Sequence, residues 1–389
     1  MKLIQKAPEY QICRVCGYDR NQNNAIHCET CKFLLKRQTI LCAIANVPTG
    51  VLNSRSLLAA TALSIGLLAT GCYLIWNLIK QDNTVHSYAG SKQQLLADNP
   101  DLQSRYFSMQ EVPNVPTGIF NYGGATCFAA MTAHGMNTRI SNAYPQFHLR
   151  YTEPLYQPPG CSTGIEMLLS GELSFAQNGR PLSASEYSVA KKRNFYLVQV
   201  PVAIDGIVFF THPALNVSKL SVAQLQDIYM GKIKNWKQLG GQDLPIVLIS
   251  QDPKVHNTLK LLMGNQIQNI SSNVLIVRDY TSAIRSVAST VGAISYSSAA
   301  IARGQKTIHS LALAKSNSKY YVSPFTSNNQ VNVAALQDGT YPLTRRLFVV
   351  IRRDGTLDQK AGIAYANMLS SVEGQRIIEK AGFAAIYSK

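Results

Sequence analysis

The sequence predicts an α/β protein that is preceded by a small metal-binding module and one membrane-spanning helix. Three observations predict this arrangement: two Cys-x-x-Cys pairs near the N-terminus, an apolar stretch from Leu57 to Ile79, and strands interleaved with helices after residue 116. Interleaved strands and helices are typical of a mostly parallel sheet covered by helices. The predicted segments are a zinc ribbon at 1–40, a juxtamembrane linker at 41–55, a transmembrane helix at 56–79, a spacer at 80–115 and the α/β domain at 116–389.

The first segment carries four cysteines with the spacing of a structural zinc site. Cys13 and Cys16 form one pair, followed by Gly17, and Cys28 and Cys31 form the second. Each pair can present two thiolates, and four thiolates complete the tetrahedral shell that Zn²⁺ prefers in structural sites. The segment resembles the zinc ribbons at the N-termini of many bacterial membrane proteins. That resemblance implies a docking module, for a protein more readily than for nucleic acid, or a stable cap without a partner.

The apolar stretch 57–79 is long enough to cross a membrane. As a helix rising about 1.5 Å per residue it covers about 34 Å, and a bilayer hydrocarbon core is about 30 Å thick. Basic residues are more numerous on its N-terminal side. Lys32, Lys36, Arg37 and Arg55 precede the stretch, and Lys80 and Lys92 follow it. The positive-inside rule therefore places the N-terminus in the cytoplasm and residues 80–389 in the periplasm, anchored in the inner membrane.

A lipoprotein-processing site is the alternative interpretation of this stretch. Residues 68–72 read LATGC, and cleavage there would make Cys72 a lipid-modified N-terminus. However, the apolar stretch continues for seven residues beyond Cys72, whereas lipoproteins usually turn polar at that point. The sequence therefore favours an uncleaved anchor.

The charge of the chain indicates what the outer domain contacts. Lys and Arg number 37 against 21 Asp and Glu, which gives a net charge of +16. No run of five or more like charges occurs, so a nucleic-acid-binding tail is disfavoured. A basic outer domain suits an anionic ligand or a nearby anionic membrane surface. No Ser–His–Asp arrangement, Walker loop or pair of acid–base carboxylates stands out, so we do not expect an enzyme.

The α/β domain alternates short apolar strands with amphipathic helices. The predicted strands are PQFHLRYTE and NFYLVQVPVAIDGIVFF, which are rich in β-branched and aromatic residues. The predicted helices, with apolar residues three and four apart, are GIEMLLSGEL, SVAQLQDIYMG, NTLKLLMG, TSAIRSVAST and KAGIAYANMLSSVEGQRIIEKAG.

Several of these helices begin on glycine or small hydroxyl residues. The segments are 123–126, 160–164, 257–258 and 281–282. Ordinary N-capping explains such residues. Helix N-termini also offer free N–H groups and a positive dipole end, so several that converge could hold one anion. Both interpretations remain open from the pattern.

Five segments give residues 116–389 a family resemblance. They are GGATCFAAM, GCSTGIEMLLSGELSFAQNGRPLS, LSVAQLQDIYMGKIKNWKQLGG, VGAISYSSAAIARGQ and YPLTRRLFVVIRRDG. The region resembles a type II periplasmic solute-binding domain, close to the phosphate-binding proteins of ABC phosphate importers and to their cyanobacterial members. The resemblance implies two α/β lobes joined by crossing strands, with lobe one at 116–200 and 300–389 and lobe two at 201–299. It also implies phosphate or a related oxyanion as ligand and an ABC permease as partner.

The resemblance assigns ligand contacts to both lobes. Thr126 falls on the family's first-loop threonine and Ser162 on its second-loop serine, with Thr163 and Gly164 as further donors. Thr258 opens a helix that contacts the anion from lobe two. Together with the helix starts above, the predicted ligand-binding set is Thr126, Ser162, Thr163, Gly164, Asn178, Arg180, Asn257, Thr258 and Thr281.

Two family residues are missing from this set. The segment that supplies a buried aspartate in the family contains Asn178 and Arg180 and no carboxylate, which should weaken selection for a protonated anion. The family's lobe-two arginine, which would clamp the anion, is also absent. Lys254 or His256 could partly replace it.

Cys127 and Cys161 lie beside the two first-lobe contacts. These two cysteines are a further departure from the family, and if the two loops meet they can form a disulfide in an oxidising periplasm. Two separate buried thiols are the alternative.

Two functions fit these observations. The first is a membrane-anchored receptor that captures phosphate or a related oxyanion for ABC-type uptake. The second is a single-span sensor or scaffold, in which the outer domain signals to the cytoplasmic zinc ribbon.

Overall fold

The computed structural model describes residues 10–11, 21–22, 102 and 106–386. Strands β1 (Tyr10–Gln11) and β2 (Asn21–Gln22) pair antiparallel. The four cysteines predicted to bind zinc and the apolar stretch 57–79 lie outside the described residues. Within the part of the chain that is described, no helix combines the length and the hydropathy that a membrane crossing needs.

The solute-binding region consists of short strands, helices and 3₁₀ turns. Its strands are β3 (Gly118–Gly124), β4 (Phe147–Tyr151), β5 (Phe175–Asn178), β6 (Tyr196–Thr211), β7 (Lys219–Ser221), β8 (Val247–Gln251), β9 (Leu275–Val277), β10 (Ala293–Ser298), β11 (His309–Ser310), β12 (Ala312–Ala314), β13 (Thr344–Arg353) and β14 (Ala384–Ala385). Its helices are α1 (Ala129–Ala133), α2 (Met136–Ala143), α3 (Cys161–Ser170), α4 (Ala184–Lys192), α5 (Val222–Tyr229), α6 (Thr258–Met263), α7 (Tyr280–Ala288), α8 (Ala299–Ala302), α9 (Val333–Gln337), α10 (Leu357–Ser370) and α11 (Val372–Lys380). The 3₁₀ turns are Met109–Glu111, Thr126–Phe128, Trp236–Leu239 and Gly264–Asn269.

One sheet runs through both lobes, in the strand order β4-β3-β5-β13-β6-β10-β8-β9. Its longest strand, β6, joins the lobes because its two halves have different partners. Residues 196–206 pair with β13 in the first lobe, and residues 207–211 pair with β10 in the second. β13 makes the return crossing, since Leu343 O accepts a hydrogen bond from Ile207 N at 2.8 Å. The predicted two-lobe α/β architecture is confirmed.

The lobe boundaries differ from those that the sequence predicts. β6 changes partners between Gly206 and Ile207, not at residue 200. Residues 309–310 and 312–314 pair with the second-lobe part of β6 and with β7, although the sequence places them in lobe one. The reason is that hydrogen-bond partners, which local pattern does not reveal, decide to which lobe a strand belongs.

The predicted C-terminal helix is divided in two. Ser371 separates α10 from α11 in an extended conformation, and its hydroxyl accepts a hydrogen bond from Gly374 N at 3.0 Å. At Gly374 a Cβ would lie 2.2 Å from Met368 O, so only glycine permits this close approach. The apolar periodicity continues across the break and therefore predicts a single helix.

Pro201 stands within β6, a central strand. A β-bulge accommodates it: Leu347 of β13 pairs with Ala203, whereas the next residue, Phe348, pairs with Pro201. A proline cannot donate to the ladder, and bulges are one of the few places where a sheet tolerates it.

Candidate functional site

The two lobes contact each other at the N-terminus of α3. Ser162 donates its backbone N–H to Val255 O, in the loop after β8, at 3.2 Å. Gly160 precedes α3 in an extended conformation, and a Cβ there would lie 2.4 Å from Val255 Cγ1 and 3.2 Å from His256 Cε1. A side chain at position 160 would therefore force the lobes apart. The glycine is needed for this close contact and not for its backbone angles.

An ion pair crosses the same junction on the solvent side. Arg278 of the second lobe donates to Glu153 Oε2 of the first lobe at 2.9 Å, and both side chains are largely exposed. Exposed pairs of this kind contribute about 0–1 kcal/mol each. This pair therefore adds little to the stability of the contact between the lobes.

A buried ion pair lies where β6 and β13 cross between the lobes. Arg345 and Asp205 face each other in register, and Arg345 donates from Nε at 3.0 Å and from Nη2 at 2.8 Å to Asp205 Oδ2. Ser298 Oγ donates to the other carboxylate oxygen at 2.6 Å. Arg345 is 7 % exposed and Asp205 is 0 % exposed. Buried charges are tolerated only when they are paired and hydrogen-bonded, as these are.

Arg345 also reaches two side chains of the second lobe. It donates from Nη2 to Tyr280 Oη at 3.1 Å and from Nη1 to Thr258 Oγ1 at 3.4 Å. With the two bonds to Asp205, four of the five guanidinium N–H groups are used. The fifth is on Nη1, beside Gly179, where a Cβ would lie 3.5 Å from Nη1 and 3.5 Å from Cys161 Sγ. Because position 179 is a glycine, no side chain covers this N–H.

Three further buried side chains in this region carry polar atoms without a hydrogen-bond partner among the described residues. The atoms are Asn178 Oδ1, Gln251 Oε1 and Nε2, and His256 Nε2. Asn178 is the last residue of β5 and Gln251 is the last of β8, both of which have parallel neighbours. Ligands of open α/β sheets bind at the carboxyl ends of the strands. A buried polar atom without a partner is costly, so this grouping is typical of a binding site.

We name this group the junction cluster. Its members are Asn178, Gly179, Asp205, Gln251, His256, Thr258, Tyr280 and Arg345.

The junction cluster has no net formal charge. Its two charged members, Arg345 and Asp205, balance each other. Burial, with a smaller contribution from the Arg345 charge, lowers the pKa of His256 to about 4, so the imidazole is neutral at neutral pH. Burial raises the pKa of Tyr280, so its phenol keeps its proton. Burial also raises the pKa of Asp205, while Arg345 and Ser298 oppose this and favour the carboxylate. The cluster therefore offers many hydrogen bonds but a balanced charge.

Two of the predicted first-lobe ligand contacts, Thr163 and Gly164, make local packing contacts and do not face the junction cluster. The Thr163 hydroxyl donates to Gly160 O at 3.3 Å or to Pro158 O at 3.2 Å, which closes its own loop. Gly164 uses its N–H within the helix, bonded to Gly160 O at 2.9 Å, and a Cβ there would lie 2.4 Å from Gly124 Cα. The structure thus assigns both residues to loop closure and helix packing. Thr126, half-buried, begins a 3₁₀ turn as its loop position predicts.

Asn178 and Arg180, both predicted to contact a ligand, have different surroundings in the structure. Asn178 is fully buried in the junction cluster and donates from Nδ2 to Arg180 O at 2.6 Å. The Arg180 guanidinium instead forms a bidentate pair with Glu186, at 2.6 and 2.9 Å. Glu186 also completes the capping box of α4 with Ser183. Both ends of the guanidinium are therefore engaged by Glu186, and Arg180 stabilises this turn.

The predicted second-lobe residues also differ in position. Thr258 lies in the cluster, and Asn257 is half-buried at the N-cap of α6. Thr281 is exposed on the outer face of α7, and the residue before it, Tyr280, reaches Arg345. Successive helix residues point about 100° apart, so a shift of one residue moves a side chain from the cluster to solvent. The structure therefore places Tyr280, and not Thr281, beside Arg345.

The family's lobe-two arginine is absent from this sequence, but strand β13 places Arg345 at the contact between the lobes. Lys254 is exposed and His256 is neutral at neutral pH, whereas Arg345 carries a buried positive charge at the junction. Sequence reasoning missed Arg345, Tyr280, Gln251 and Asp205. A usable signal was Asp205, the single charged residue in the apolar run NFYLVQVPVAIDGIVFF, because such a charge requires a buried partner.

Cys127 and Cys161 are buried free thiols, so the disulfide alternative is not found. Gly179 N donates to Cys161 Sγ at 3.3 Å. Burial raises the pKa of Cys127 to about 12, which keeps this thiol protonated. The alternative of two separate thiols describes the structure.

The sequence pattern of the PBP superfamily domain matches residues 114–373. The chain belongs to the PBP superfamily. Among curated PBP superfamily relatives, the phosphate-binding protein PstS of Borreliella burgdorferi is 25 % identical over 268 residues, which cover 65 % of this chain and 88 % of that protein.

Two solved structures have the same fold. A phosphate ABC transporter substrate-binding protein from Clostridium perfringens, solved with bound phosphate, aligns with a TM-score of 0.57 at 21 % identity, over 69 % of this chain and 100 % of that one. An ABC-type phosphate transport receptor from Vibrio cholerae aligns with a TM-score of 0.52 at 20 % identity, again over 69 % and 100 %. These likenesses show the fold of the covered part of the chain.

Proposed function

We propose that this PBP superfamily member is a membrane-anchored substrate-binding protein that captures phosphate or a related oxyanion outside the cytoplasm and delivers it to an ABC permease. The proposal rests on the position of Arg345. It lies on a strand that crosses between the lobes and bonds to Thr258 and Tyr280 of the second lobe. One of its N–H groups remains beside Gly179 in the first lobe. The names of the PstS relatives support phosphate as the first ligand to test.

Binding and lobe closure are coupled in this arrangement. Closure brings Val255 and His256 against Gly160, next to the junction cluster. An anion held by groups from both lobes stabilises the closed form over an open one, because only the closed form makes both sets of contacts. A permease can then distinguish the loaded protein by its shape.

Calorimetric titration of the full-length chain in detergent tests the proposal with inorganic phosphate, sulfate and a phosphonate. Thr258→Val removes the hydroxyl that Arg345 contacts, and Thr281→Val makes the same change on the exposed face of α7. We expect phosphate binding to weaken about tenfold in Thr258→Val, as loss of one hydrogen bond to a charged group implies, and to be unchanged in Thr281→Val. Absence of binding by all three anions in the wild type would refute an oxyanion receptor.

The anchor and the zinc ribbon remain part of the proposal. The apolar stretch 57–79 supports a single span, with residues 80–389 in the periplasm. Cys13, Cys16, Cys28 and Cys31 fit a structural zinc site in number, type and spacing. The antiparallel pairing of Tyr10–Gln11 with Asn21–Gln22 supports a hairpin whose connecting segment includes the first Cys-x-x-Cys pair. Bound zinc would supply a fixed fold to a segment with little apolar core.

The zinc ribbon favours a second candidate function, a sensor that reports anion binding to a cytoplasmic protein. A receptor that serves uptake alone has no need of such a module. Crosslinking of the full-length protein in cells, with and without phosphate starvation, tests this. The sensor proposal requires a cytoplasmic protein that crosslinks to residues 1–55 and is lost in a Cys13→Ser, Cys28→Ser variant. If the crosslinks are the same in that variant, the sensor is excluded.

A further inference from the structure

The chain enters the solute-binding region through a short segment that docks on helix α11. We name residues 106–112 the strap. Tyr106 O accepts a hydrogen bond from Val372 N at 2.9 Å, and Phe107 O accepts one from Glu373 N at 3.1 Å. The first N–H groups of a helix have no partner within the helix itself. The strap therefore supplies acceptors for the first turn of α11.

The side chain of Glu373 holds the strap at a second point. Its Oε2 accepts from Met109 N at 2.9 Å, and its Oε1 pairs with Arg139 of α2. Met109 is fully buried in the main hydrophobic core, and Leu102, which precedes the strap, is buried in the same core. Burial of apolar side chains favours the docked position. The strap is thus fixed to α2 and α11 by polar and apolar contacts.

A tyrosine that follows α2 completes the docking site of the strap. The Tyr144 hydroxyl donates to Val112 O at 2.5 Å or to Gln110 O at 2.8 Å. The 3₁₀ turn inside the strap, Met109–Glu111, also contacts α2 and α10. Because α2, α10 and α11 all pack on the lobe-one part of the sheet, the strap is attached to lobe one.

Helix α11 connects the strap to β6, the strand that joins the lobes. Gln375 Nε2 donates to Val202 O of β6 at 3.0 Å. Strand β14, which follows α11, pairs with Ala203 and Ile204 of β6. These residues precede Gly206, up to which β6 pairs with β13 in lobe one. The strap therefore moves with the lobe-one half of β6.

The contacts between the lobes lie at other places in the fold. Ser162 of α3 meets Val255 in the loop after β8, and Glu153 pairs with Arg278. The hydrogen bonds of the strap described above involve none of these residues. Opening or closing of the lobes can therefore proceed while the strap stays docked.

We propose that the strap makes lobe one the anchored half of the protein, so that ligand-driven closure moves lobe two relative to the membrane while the strap and α11 stay in place. This inference rests on the proposed anchor and the proposed oxyanion binding, and it specifies which lobe moves. Lobe two then presents the difference between the empty and the loaded receptor to a permease. The strap itself passes no displacement to the span.

Hydrogen–deuterium exchange of the full-length chain in lipid nanodiscs, with and without inorganic phosphate, tests the inference. Peptides that contain Ser162 should exchange at least about tenfold more slowly with phosphate, because closure holds Ser162 N against Val255 O. Peptides from the strap and from the first turn of α11 should change less than about twofold. A change in the strap as large as the change at Ser162 would overturn the inference.

Two variants loosen the strap to different degrees. Glu373→Ala removes the carboxylate that holds Met109 N and Arg139, so exchange in the strap should rise at least about tenfold. Tyr144→Phe keeps the ring and removes one hydroxyl donor, so the rise should be about fivefold. Glu379→Ala is the matched control, since Glu379 is exposed further along the same helix, and exchange in the strap should not change. Phosphate affinity should be unchanged in all three variants.

Energy transfer from a donor fluorophore on either lobe to acceptor-labelled lipid measures which lobe moves. The donor is introduced as an unnatural amino acid at Lys360 on α10 of lobe one or at Thr281 on α7 of lobe two, both of which are exposed. Phosphate should change the transfer efficiency from position 281 and leave that from position 360 unchanged. A larger change at position 360, or no change at either position while phosphate binds, would contradict the inference.

The outcomes distinguish this inference from the proposed function. If phosphate slows exchange at Ser162 but it is lobe one that moves, oxyanion binding stands and the anchoring of lobe one is overturned. If exchange in the strap is the same in the wild type, Glu373→Ala and Tyr144→Phe, the docking of the strap is overturned. If neither phosphate nor sulfate changes exchange at the junction, the proposed function fails, and the movement of lobe two fails with it.

Discussion

Replacement of Arg345 by methionine tests both its structural and its binding role. Met is similar in length but removes the charge, and it leaves the Asp205 carboxylate, 0 % exposed, without the two guanidinium bonds at 2.8 and 3.0 Å. Ser298 is the side chain that remains bonded to this carboxylate. Removal of one partner of a buried ion pair typically costs about 3–5 kcal/mol, since an uncompensated buried charge remains. We expect a loss of that size in the free energy of unfolding.

The double variant Arg345→Met, Asp205→Asn separates the two roles. The amide removes the unpaired charge and can still accept from Ser298 Oγ, so most of the lost stability should return. Phosphate binding should not return, because the N–H beside Gly179 is absent in both variants. A charge-assisted hydrogen bond contributes about 1.5–3 kcal/mol, so its loss should weaken binding at least about tenfold.

Tryptophan fluorescence during urea unfolding is a suitable assay. The chain contains two tryptophans, and Trp236 is 0 % exposed in the second lobe. In a Trp76→Phe background, the full-length protein in detergent reports unfolding of that lobe alone. A coupling energy between positions 205 and 345 below about 1 kcal/mol would refute the structural part of the argument. Phosphate binding by the double variant at wild-type affinity would refute the binding part.

Three further predictions concern single sites. Gly179→Ala places a methyl group 3.5 Å from Arg345 Nη1, an ordinary contact, so binding should weaken at least about tenfold while stability stays within about 0.5 kcal/mol. In the folded protein the pKa of His256 is lowered from 6.5 to about 4, so the unfolded chain takes up a proton first as the pH falls. The free energy of unfolding should therefore drop by about 3 kcal/mol between about pH 6.5 and pH 4. Urea unfolding of His256→Asn should not show this pH dependence. Elemental analysis of the purified chain should find about one zinc per chain, lost in Cys13→Ser, Cys28→Ser.

Each of these predictions has an outcome that contradicts it. Wild-type phosphate affinity in Gly179→Ala would mean that no ligand atom lies beside Arg345 Nη1. Stability that rises as the pH falls through this window would mean that the folded protein protonates His256 more readily than the unfolded chain. A zinc content that does not change when the two cysteines are replaced would place the metal elsewhere.

The sequence alone determined the two-lobe α/β fold class of the solute-binding region. Apolar periodicity identified α3, α5, α6 and α7, and the β-branched run identified β6, because both signals depend on neighbours in the chain. Thr258 and Asn178, which the sequence predicts as ligand contacts, both lie in the junction cluster, since each is next to a strand or helix end that local pattern reveals. The periodicity could not reveal the break at Ser371, where a cap and a close carbonyl contact divide the helix.

Only the tertiary structure decided which residues form the site. Arg345 and Asp205 are 140 residues apart in the chain and meet because β13 and β6 pair in register. Tyr280 is buried and Thr281 is exposed because the rotation of α7, set by its packing, decides which side chain points inward. Arg180 pairs with Glu186, six residues along the chain, and not with the junction cluster. Local sequence pattern does not reveal hydrogen-bond partners that are distant in the chain. The sequence therefore predicts the fold class, whereas the contacts at the junction cluster depend on which strands pair.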